Sequence, residues 1–180
     1  YPRPDHIRLA HQLSKIRPLL IYGHHPHVLQ GIESYEGSLI AYSLGNFCFD
    51  DVYTPKSDEP LVKMTRDNQQ SMILSVEWDA EGIRHYEPAF LFFDSQSVER
   101  CEDRQLAADF HKWSAALAYT DEEAYRSMRA RMIADRIAQR KTQRDFQWYW
   151  KRLRLDSLIN IVNARKNRRK YAEAVTRYID

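Results

Sequence analysis

The chain has 180 residues, a formal net charge of +2 at pH 7 and two cysteines, Cys48 and Cys101. This length can bury one ordinary domain core, and two cysteines outside any Cys-x-x-Cys pattern indicate neither a disulfide framework nor a cysteine metal motif. No apolar run approaches the roughly 18 residues that cross a bilayer, and no secretory signal pattern is present. The sequence leaves localisation open between the cytoplasm and association with the cell envelope.

The two parts of the chain carry opposite charge. Residues 121–180 hold 16 Lys and Arg against 8 Asp and Glu, a net of +8, which leaves 11 against 17, a net of −6, for residues 1–120. The last glycine is Gly82 and the last proline is Pro88, so the rest of the chain is free of helix breakers. This pattern predicts an α/β body over residues 1–94 and a helical, basic extension over residues 95–180.

The elements of the body follow from local periodicity. Apolar residues at helical spacing predict a helix over residues 5–15, and the apolar run 19–22 predicts a buried strand. Two hairpins are predicted, the first from 31–35 and 38–49 and the second from 71–78 and 83–93 with a turn at 79–82. The polar segment 50–70 between them is predicted to be a loop.

Three helices are predicted in the extension, over residues 97–117, 121 to about 154, and 156–178. Thr120 and Glu123 have the spacing of a capping box for the second helix, and Asp156 is a suitable N-cap for the third. Aromatic residues cluster before the third helix and favour a docking surface over a ligand cage; they are Phe146, Trp148, Tyr149 and Trp150.

Histidines concentrate directly after the first predicted strand. His24, His25 and His27 follow Gly23, at the place where α/β proteins usually bind ligands. Neutral imidazole is a common metal ligand, and His-x-His spacing on extended backbone directs two rings to one side. Pro26 biases His25 toward that extended geometry. A loop of solvated or capping histidines is an equally open interpretation.

Three sequence blocks resemble one known family. They are Gly-His-His-Pro-His-Val-Leu-Gln at 23–30, Gly-Ile-Glu-x-Tyr-x-Gly at 31–37, and Tyr-Ser-Leu-Gly-Asn-Phe at 42–47. Their order and separation resemble the CapA family of poly-γ-glutamate capsule synthesis proteins, over roughly residues 1–93. Ile16-Arg17-Pro18 stands where the family usually has Gly-Ala-Asp.

The resemblance implies a fold and a metal site. The family's fold is similar to the calcineurin-like metallophosphoesterases, which implies a partial four-layer sandwich in this chain. By the same resemblance His25 and His27 match paired metal ligands, and Gly45 and Asn46 lie where the next strand closes the site. His24 occupies a position that the family fills variably, so it is a possible site-lining residue only.

The family's remaining ligands are not in this sequence. In the family the N-terminal half carries an Asp, an Asn-His motif and a further His and Glu, so we expect this chain to be the C-terminal part of a CapA-like protein. A complete divalent metal site, holding Mn, Zn or Fe, then needs ligands from outside it. Asp near a first strand, an Asn-His pair and His-x-Gly-x-Glu are the upstream patterns expected.

Three functions stay open at this point. The first is a metallophosphoesterase-like hydrolase, for which Glu33 and Asp50 are the nearest carboxylates for acid–base work. The second is a non-catalytic binding or assembly protein that works with the machinery of capsule or cell-surface polymer biosynthesis. The third is nucleic-acid binding through the basic run 165–170, which is disfavoured because such a helix more often meets solvent, an acidic body or an anionic membrane surface.

Overall fold

The computed structural model describes residues 1–55, 57–119, 121–143, 163–165 and 167–168 of a mixed α/β chain. The chain divides into two compact units, Tyr1–Ala130 and Arg131–Asp180. The elements in chain order are α1 (Pro4–Ser14), β1 (Leu20–Tyr22), β2 (Ile32–Tyr35), β3 (Ser38–Ala41), β4 (Val52–Thr54), β5 (Ser57–Val62), α2 (Arg66–Gln69), β6 (Gln70–Asp79), β7 (Gly82–Phe93), β8 (Val98–Arg100), α3 (Arg104–Ala115) and α4 (Glu122–Gln143).

The first sheet has the strand order β1-β3-β2. It contains the first predicted strand and the first predicted hairpin, and the first predicted helix is also confirmed, as α1. β1 runs parallel to β3, and β2 pairs with β3 in antiparallel register through the turn at Glu36 and Gly37, which have φ of 48° and 73°. β3 ends at Ala41, well before the predicted end at residue 49. β1 is an edge strand, so Tyr22 is exposed and the expectation of a fully buried strand is wrong.

β3 holds the first unit together because both of its faces are buried. Leu39 and Ala41 pack in one core with Met72 of β6 and Phe110 of α3. Ile40 lies on the opposite face, in the second core. The members of that core are Ile7 and Ala10 of α1, Ile40 of β3, Tyr125 of α4, and Tyr42 and Leu117 from the connecting segments. The period-two alternation of a strand explains how successive residues of β3 supply different cores.

The second sheet has the order β6-β7-β8 and is antiparallel throughout. β6 and β7 form the second predicted hairpin, with Asp79 opposite Gly82 across the turn. Gly82 has a φ of 129°, which a glycine adopts at little steric cost. An isolated bridge from Gly45 to Ser71 links the segment after β3 to β6.

The prediction of a loop over residues 50–70 is wrong. β4 and β5 form an antiparallel pair within it, and the short helix α2 follows at Arg66–Gln69. Pro55 and Pro60 led to the wrong prediction, since a proline within a run of residues argues against a central strand. A two-stranded ribbon with an irregular register tolerates proline where a central strand does not.

The prediction of a helix over residues 97–117 is wrong in its first part. Val98–Arg100 pairs with Leu91–Phe93 as the edge strand β8. α3 begins only after Asp103, whose carboxylate accepts hydrogen bonds from the backbone N–H groups of Gln105 and Leu106. An N-cap of this kind fixes where a helix starts, so the helical segment is shorter than the absence of glycine and proline suggested.

α4 agrees with the second predicted helix as far as residue 143. Thr120 lies outside the described residues, and the Asp121 carboxylate accepts from the N–H groups of Glu123 and Ala124. Residues 163–165 and 167–168 are helical. The aromatic cluster at 146–150, the cap at Asp156 and most of the run 165–170 lie outside the described residues. The domain boundary at residues 94–95 stays a prediction.

Among the described residues, none of the helices has both the length and the apolar character needed to cross a membrane.

Candidate functional site

The histidine loop, which we define as residues 23–30, leaves the carboxyl end of β1. Its first residue, Gly23, donates its N–H to the carbonyl of Ala41 at 2.8 Å, and its carbonyl accepts from the N–H of Leu44 at 3.3 Å. At the other end Gln30 donates to the carbonyl of Ser43 at 3.1 Å. The segment after β3 thus ties both ends of the loop, so the loop stands at the edge of the sheet where the parallel strands β1 and β3 end.

The backbone of the loop is turned, so the expectation of extended geometry at His25 is wrong. His25 has a φ of 88° and His27 a φ of 58°, both in the left-handed region that residues with a Cβ seldom occupy. The loop must reverse between Gly23 and Leu29 to return to the segment after β3, and this requirement outweighs the bias from Pro26. Strained residues of this kind cluster at functional sites.

The two imidazoles nevertheless lie close together. The ring centroids of His25 and His27 are 6.3 Å apart, with a 49° angle between the ring planes. Phe49 packs against the His27 ring at a centroid distance of 5.5 Å. The turned backbone therefore brings together the two side chains that the sequence singled out.

Asn46 lies in direct contact with His27. Its Oδ1 atom is 2.8 Å from Nδ1 of His27, and its Nδ2 donates to the carbonyl of Asn68 at 3.1 Å. The Asn46 side chain is buried, with 8% of the residue exposed. Because a buried amide must find partners, these two contacts fix the position of Asn46 beside the His27 ring.

Gly45 makes this position of Asn46 possible. Its φ is 77°, and an added Cβ would lie 2.4 Å from the carbonyl oxygen of Gln70. Only glycine fits so close to β6. The predicted site-lining role of Gly45 stays a prediction, but the structure shows why the residue before Asn46 is a glycine.

His24 is directed to a different place. It lines a cavity of about 250 Å³ between α1 and the first sheet, and its ring stands edge-on to Tyr22 at 6.3 Å. Most of the lining is apolar, from Leu9, Ala10, Leu13, Ile21, Ile40 and Ala41. The cavity wall is therefore unlike the polar surroundings of His27.

The two carboxylates considered for acid–base work are both engaged elsewhere. Asp50 accepts from the N–H of Asp51 at 2.8 Å. Glu33 accepts from Nε2 of His11 at 2.8 Å and from the hydroxyl of Tyr42. Burial and this hydrogen bond to Glu33 raise the pKa of Tyr42 well above its usual range. His11 also stacks on Tyr35 with ring centroids 3.8 Å apart.

Sequence reasoning missed two partners of the site. Asn68 is one: its Nδ2 donates to the carbonyl of His27 at 2.8 Å. Thr65 and Asn68 have the spacing that a capping box requires, and this signal lay inside the segment interpreted as a loop. His11 is the other, and nothing in its position on α1 marked it as a partner of Glu33.

The described part of the chain contains no group of three or more His, Cys, Asp or Glu side chains able to hold a metal ion. His25 and His27 are therefore a pair of candidate ligands in this part of the chain, and structural or catalytic metal sites use three or four protein ligands.

Comparison with known proteins places the similarity in the same part of the chain. The model of the bacterial capsule synthesis protein family PGA_cap matches residues 1–51. The PGA biosynthesis protein CapA of Bacillus subtilis is 47% identical over 62 residues, which are 34% of this chain and 16% of that protein. The capsule biosynthesis protein CapA of Bacillus anthracis is 41% identical over 73 residues, 40% of this chain and 18% of that protein.

A third relative is an uncharacterized protein of Sinorhizobium fredii, 61% identical over 33 residues that cover 18% of this chain and 7% of that protein. The aligned segments thus span less than a fifth of the length of the CapA proteins that the chain matches. The family match covers 51 of the 180 residues and includes α1, the histidine loop, the first sheet and Asn46. Residues 1–51 are thus similar to the bacterial capsule synthesis protein family PGA_cap, and parts of the chain are similar to the CapA proteins of two Bacillus species.

Proposed function

We propose that this protein acts in the biosynthesis of a capsule or poly-γ-glutamate-type polymer, and that His25 and His27 supply two ligands to a divalent metal site of metallophosphoesterase type. The observation that supports it best is the pairing of two imidazoles at the end of β1, on strained backbone, with the His27 ring held by Asn46. The CapA relatives carry capsule or PGA biosynthesis in their names.

The side chains present fit part of such a site. Imidazole suits Mn, Zn and Fe as first-row divalent metals. A ligating histidine usually engages its other ring nitrogen with an oxygen acceptor, and Nδ1 of His27 meets this requirement through Asn46. The proposal therefore assigns the metal to the Nε2 side of His27, with the further ligands of a complete site coming from outside this sequence. When bound, such a metal polarises a phosphoryl or carbonyl oxygen and acidifies a bound water.

The proposal extends to the fold. β3 is buried on both faces, with α1 and α4 on one side and α3 with β6 on the other. This layering supports a partial four-layer sandwich of the metallophosphatase type, with the histidine loop at the edge of its first sheet.

Metal binding by the chain tests the proposal, and this binding is expected to be weak because most ligands lie outside the sequence. Titration with Mn²⁺ or Zn²⁺ is expected to show weaker affinity in His25→Ala and in His27→Ala by more than about tenfold, because loss of even a supporting residue costs that much. Binding is also expected to weaken in acid, since protons compete for the ligand nitrogens. His85→Ala is the matched control, because His85 is an exposed histidine on β7. Equal affinity in all four proteins would refute the proposed site.

A non-catalytic role in binding or assembly is the alternative, and one surface favours it. Leu9, Leu13 and Ile16 are exposed on and after α1, beside the apolar cavity. Contiguous apolar surface of this kind marks interaction sites. The two roles predict different polymer production in cells that depend on this protein. If the metal site is catalytic, production falls in the His25→Ala, His27→Ala double variant. If the role is assembly, production persists in the double variant and falls in Leu9→Glu.

A further inference from the structure

A closed set of hydrogen bonds links the histidine loop to the short helix α2. It contains two amide side chains, those of Asn46 and Asn68, and its members contact both the ring and the backbone of His27. The two orientations of an amide group are distinguished by its partners. Backbone N–H groups only donate and backbone carbonyls only accept, so the direction of each bond in this set can be determined.

The orientation of Asn68 is fixed first. The N–H of Thr65 donates to Oδ1 of Asn68 at 3.1 Å, and the Thr65 hydroxyl donates to the same atom at 2.7 Å. The Nδ2 side of the Asn68 amide is thereby directed to the carbonyl of His27, to which it donates at 2.8 Å. His27 has a φ of 58°, so Asn68 holds the backbone of a strained residue.

The orientation of Asn46 follows from the next bond. The backbone carbonyl of Asn68 can only accept, so the Asn46 atom 3.1 Å away is the donor Nδ2. Oδ1 of Asn46 then faces Nδ1 of His27 at 2.8 Å. An amide oxygen is an acceptor only, so the hydrogen of this bond belongs to the imidazole. The neutral ring of His27 must carry its proton on Nδ1.

We propose that Asn46, oriented by the backbone carbonyl of Asn68, holds His27 as the Nδ1–H tautomer, which leaves the lone pair of Nε2 available to a divalent metal, while the Asn68 side chain holds the backbone of His27. The hydrogen bond made by one ring nitrogen sets the state of the other. The meaning of this tautomer for metal binding rests on the proposed function, but the tautomer itself is a property of this chain.

Burial explains why the direction persists. Asn46 is almost fully buried, so a rotated amide would place its Oδ1 against the carbonyl oxygen of Asn68, with two acceptors facing each other. That contact would lose its hydrogen bond in a buried place, which is unfavourable. The backbone carbonyl of Asn68 thus fixes the orientation of the Asn46 amide and, through it, the proton on His27.

The test is a long-range ¹H–¹⁵N correlation spectrum of the metal-free, histidine-labelled full chain, recorded where the imidazoles are neutral. His27 is expected to show a protonated Nδ1 and an unprotonated Nε2. His85, exposed on β7, serves as an internal reference in every spectrum. A wild-type His27 with its proton on Nε2 would overturn the inference without any variant being needed.

Three variants separate positioning from general structural support. Asn46→Asp keeps an acceptor beside Nδ1 and is expected to retain the Nδ1–H tautomer. Asn46→Ala removes the acceptor and is expected to populate both tautomers, as is Asn68→Ala to a smaller extent, because its backbone carbonyl remains. A pure Nδ1–H tautomer in Asn46→Ala would contradict the proposal.

Zinc affinity gives the second readout. Asn46→Asp is expected to bind within a few-fold of wild type, and Asn46→Ala to bind about tenfold more weakly, the usual effect of losing a supporting residue. If the tautomers behave as described and no variant or wild-type chain binds metal, the proposed function fails while the tautomer assignment stands. If metal binds through His27 and the wild-type proton lies on Nε2, the assignment fails and the proposed function stands.

Discussion

At the scale of single residues, Gly45 and Gly37 have similar backbone conformations but different structural roles. Gly45 and Gly37 have φ of 77° and 73°. An added Cβ at Gly45 would lie 2.4 Å from the carbonyl oxygen of Gln70, whereas at Gly37 its nearest neighbour is Cγ of Pro18 at 3.4 Å. Gly37 thus serves only the turn between β2 and β3, while Gly45 also allows β6 to approach Asn46.

This difference predicts unequal costs of adding one methyl group. Gly37→Ala is expected to lower the free energy of unfolding by about 1–2 kcal/mol, the cost of left-handed backbone in a residue with a Cβ. Gly45→Ala carries that cost and a further loss of about 1–3 kcal/mol from overpacking against β6. Urea unfolding of the two variants measures both values. Equal destabilisation would show that the close approach of β6 at Gly45 has no energetic weight.

At the scale of elements, a carboxylate links α1 to the first sheet in addition to their packing in the second core. Glu33 of β2 accepts from His11 of α1 and from Tyr42 just after β3. His11 in turn stacks on Tyr35 of β2. The three elements therefore share a partly buried polar junction beside the second core.

Loss of the Tyr42 hydroxyl is expected to weaken this junction. Tyr42→Phe keeps the ring and removes one hydrogen bond to a carboxylate, so the free energy of unfolding should fall by about 1–2 kcal/mol. Tyr53→Phe is the control, because Tyr53 is exposed, and it should change stability by less than about 0.5 kcal/mol. Thermal unfolding of both variants decides the point, and equal stability would mean that the Tyr42–Glu33 bond contributes nothing.

The same junction predicts a loss of stability in alkali. Burial raises the pKa values of Tyr42 and Tyr125 above the usual tyrosine value of 10.0, so both phenols stay protonated in the folded chain after they ionise in the unfolded one. A raised folded-state pKa gives stability that is present below pH 10 and is lost as the pH rises above it. Unfolding free energies between pH 9 and 11 should therefore fall, and less steeply in a Tyr42→Phe, Tyr125→Phe double variant. A double variant with the same slope as wild type would contradict this origin.

The elements differ in how well the sequence predicts them. The two hairpins can be predicted from their turns at Glu36-Gly37 and at Gly82, because glycine indicates the positive φ that each turn needs. β8 and the β4–β5 ribbon escape prediction because they are three to six residues long and gain their stability from pairing rather than from an apolar pattern. In the candidate site, residue types single out His25 and His27 as a prediction, whereas the turned backbone and the Asn68 contact arise from tertiary structure alone.

At the scale of the whole molecule, the contrast between an acidic first part and a basic second part stays a prediction about partners, since most of the basic run lies outside the described residues. We expect residues 121–180 to meet an acidic body or an anionic membrane surface. Attachment of this kind through exposed charges is screened over a Debye length of about 8 Å at physiological salt.

Neutralising the basic run is expected to lower binding to anionic lipid vesicles at low salt by more than about tenfold, since each basic residue near such a surface contributes about 1 kcal/mol. The residues changed to Gln are Arg165, Lys166, Arg168, Arg169 and Lys170. A five-residue control on the first unit keeps the same net charge, with Lys15, Arg17, Lys63, Arg100 and Arg104 changed instead. Salt-sensitive, submicromolar binding to duplex DNA or RNA of random sequence, lost only in the first variant, would instead indicate that the basic run binds nucleic acid.

The most direct test of the metal site is X-ray absorption at the zinc edge of the zinc-loaded chain. We expect two imidazole ligands at Zn–N distances of about 2.0–2.1 Å in the wild-type chain, one in His25→Ala and one in His27→Ala, and none in the double variant. An imidazole signal that is the same in the wild-type chain and the double variant would contradict the assignment of His25 and His27 as ligands.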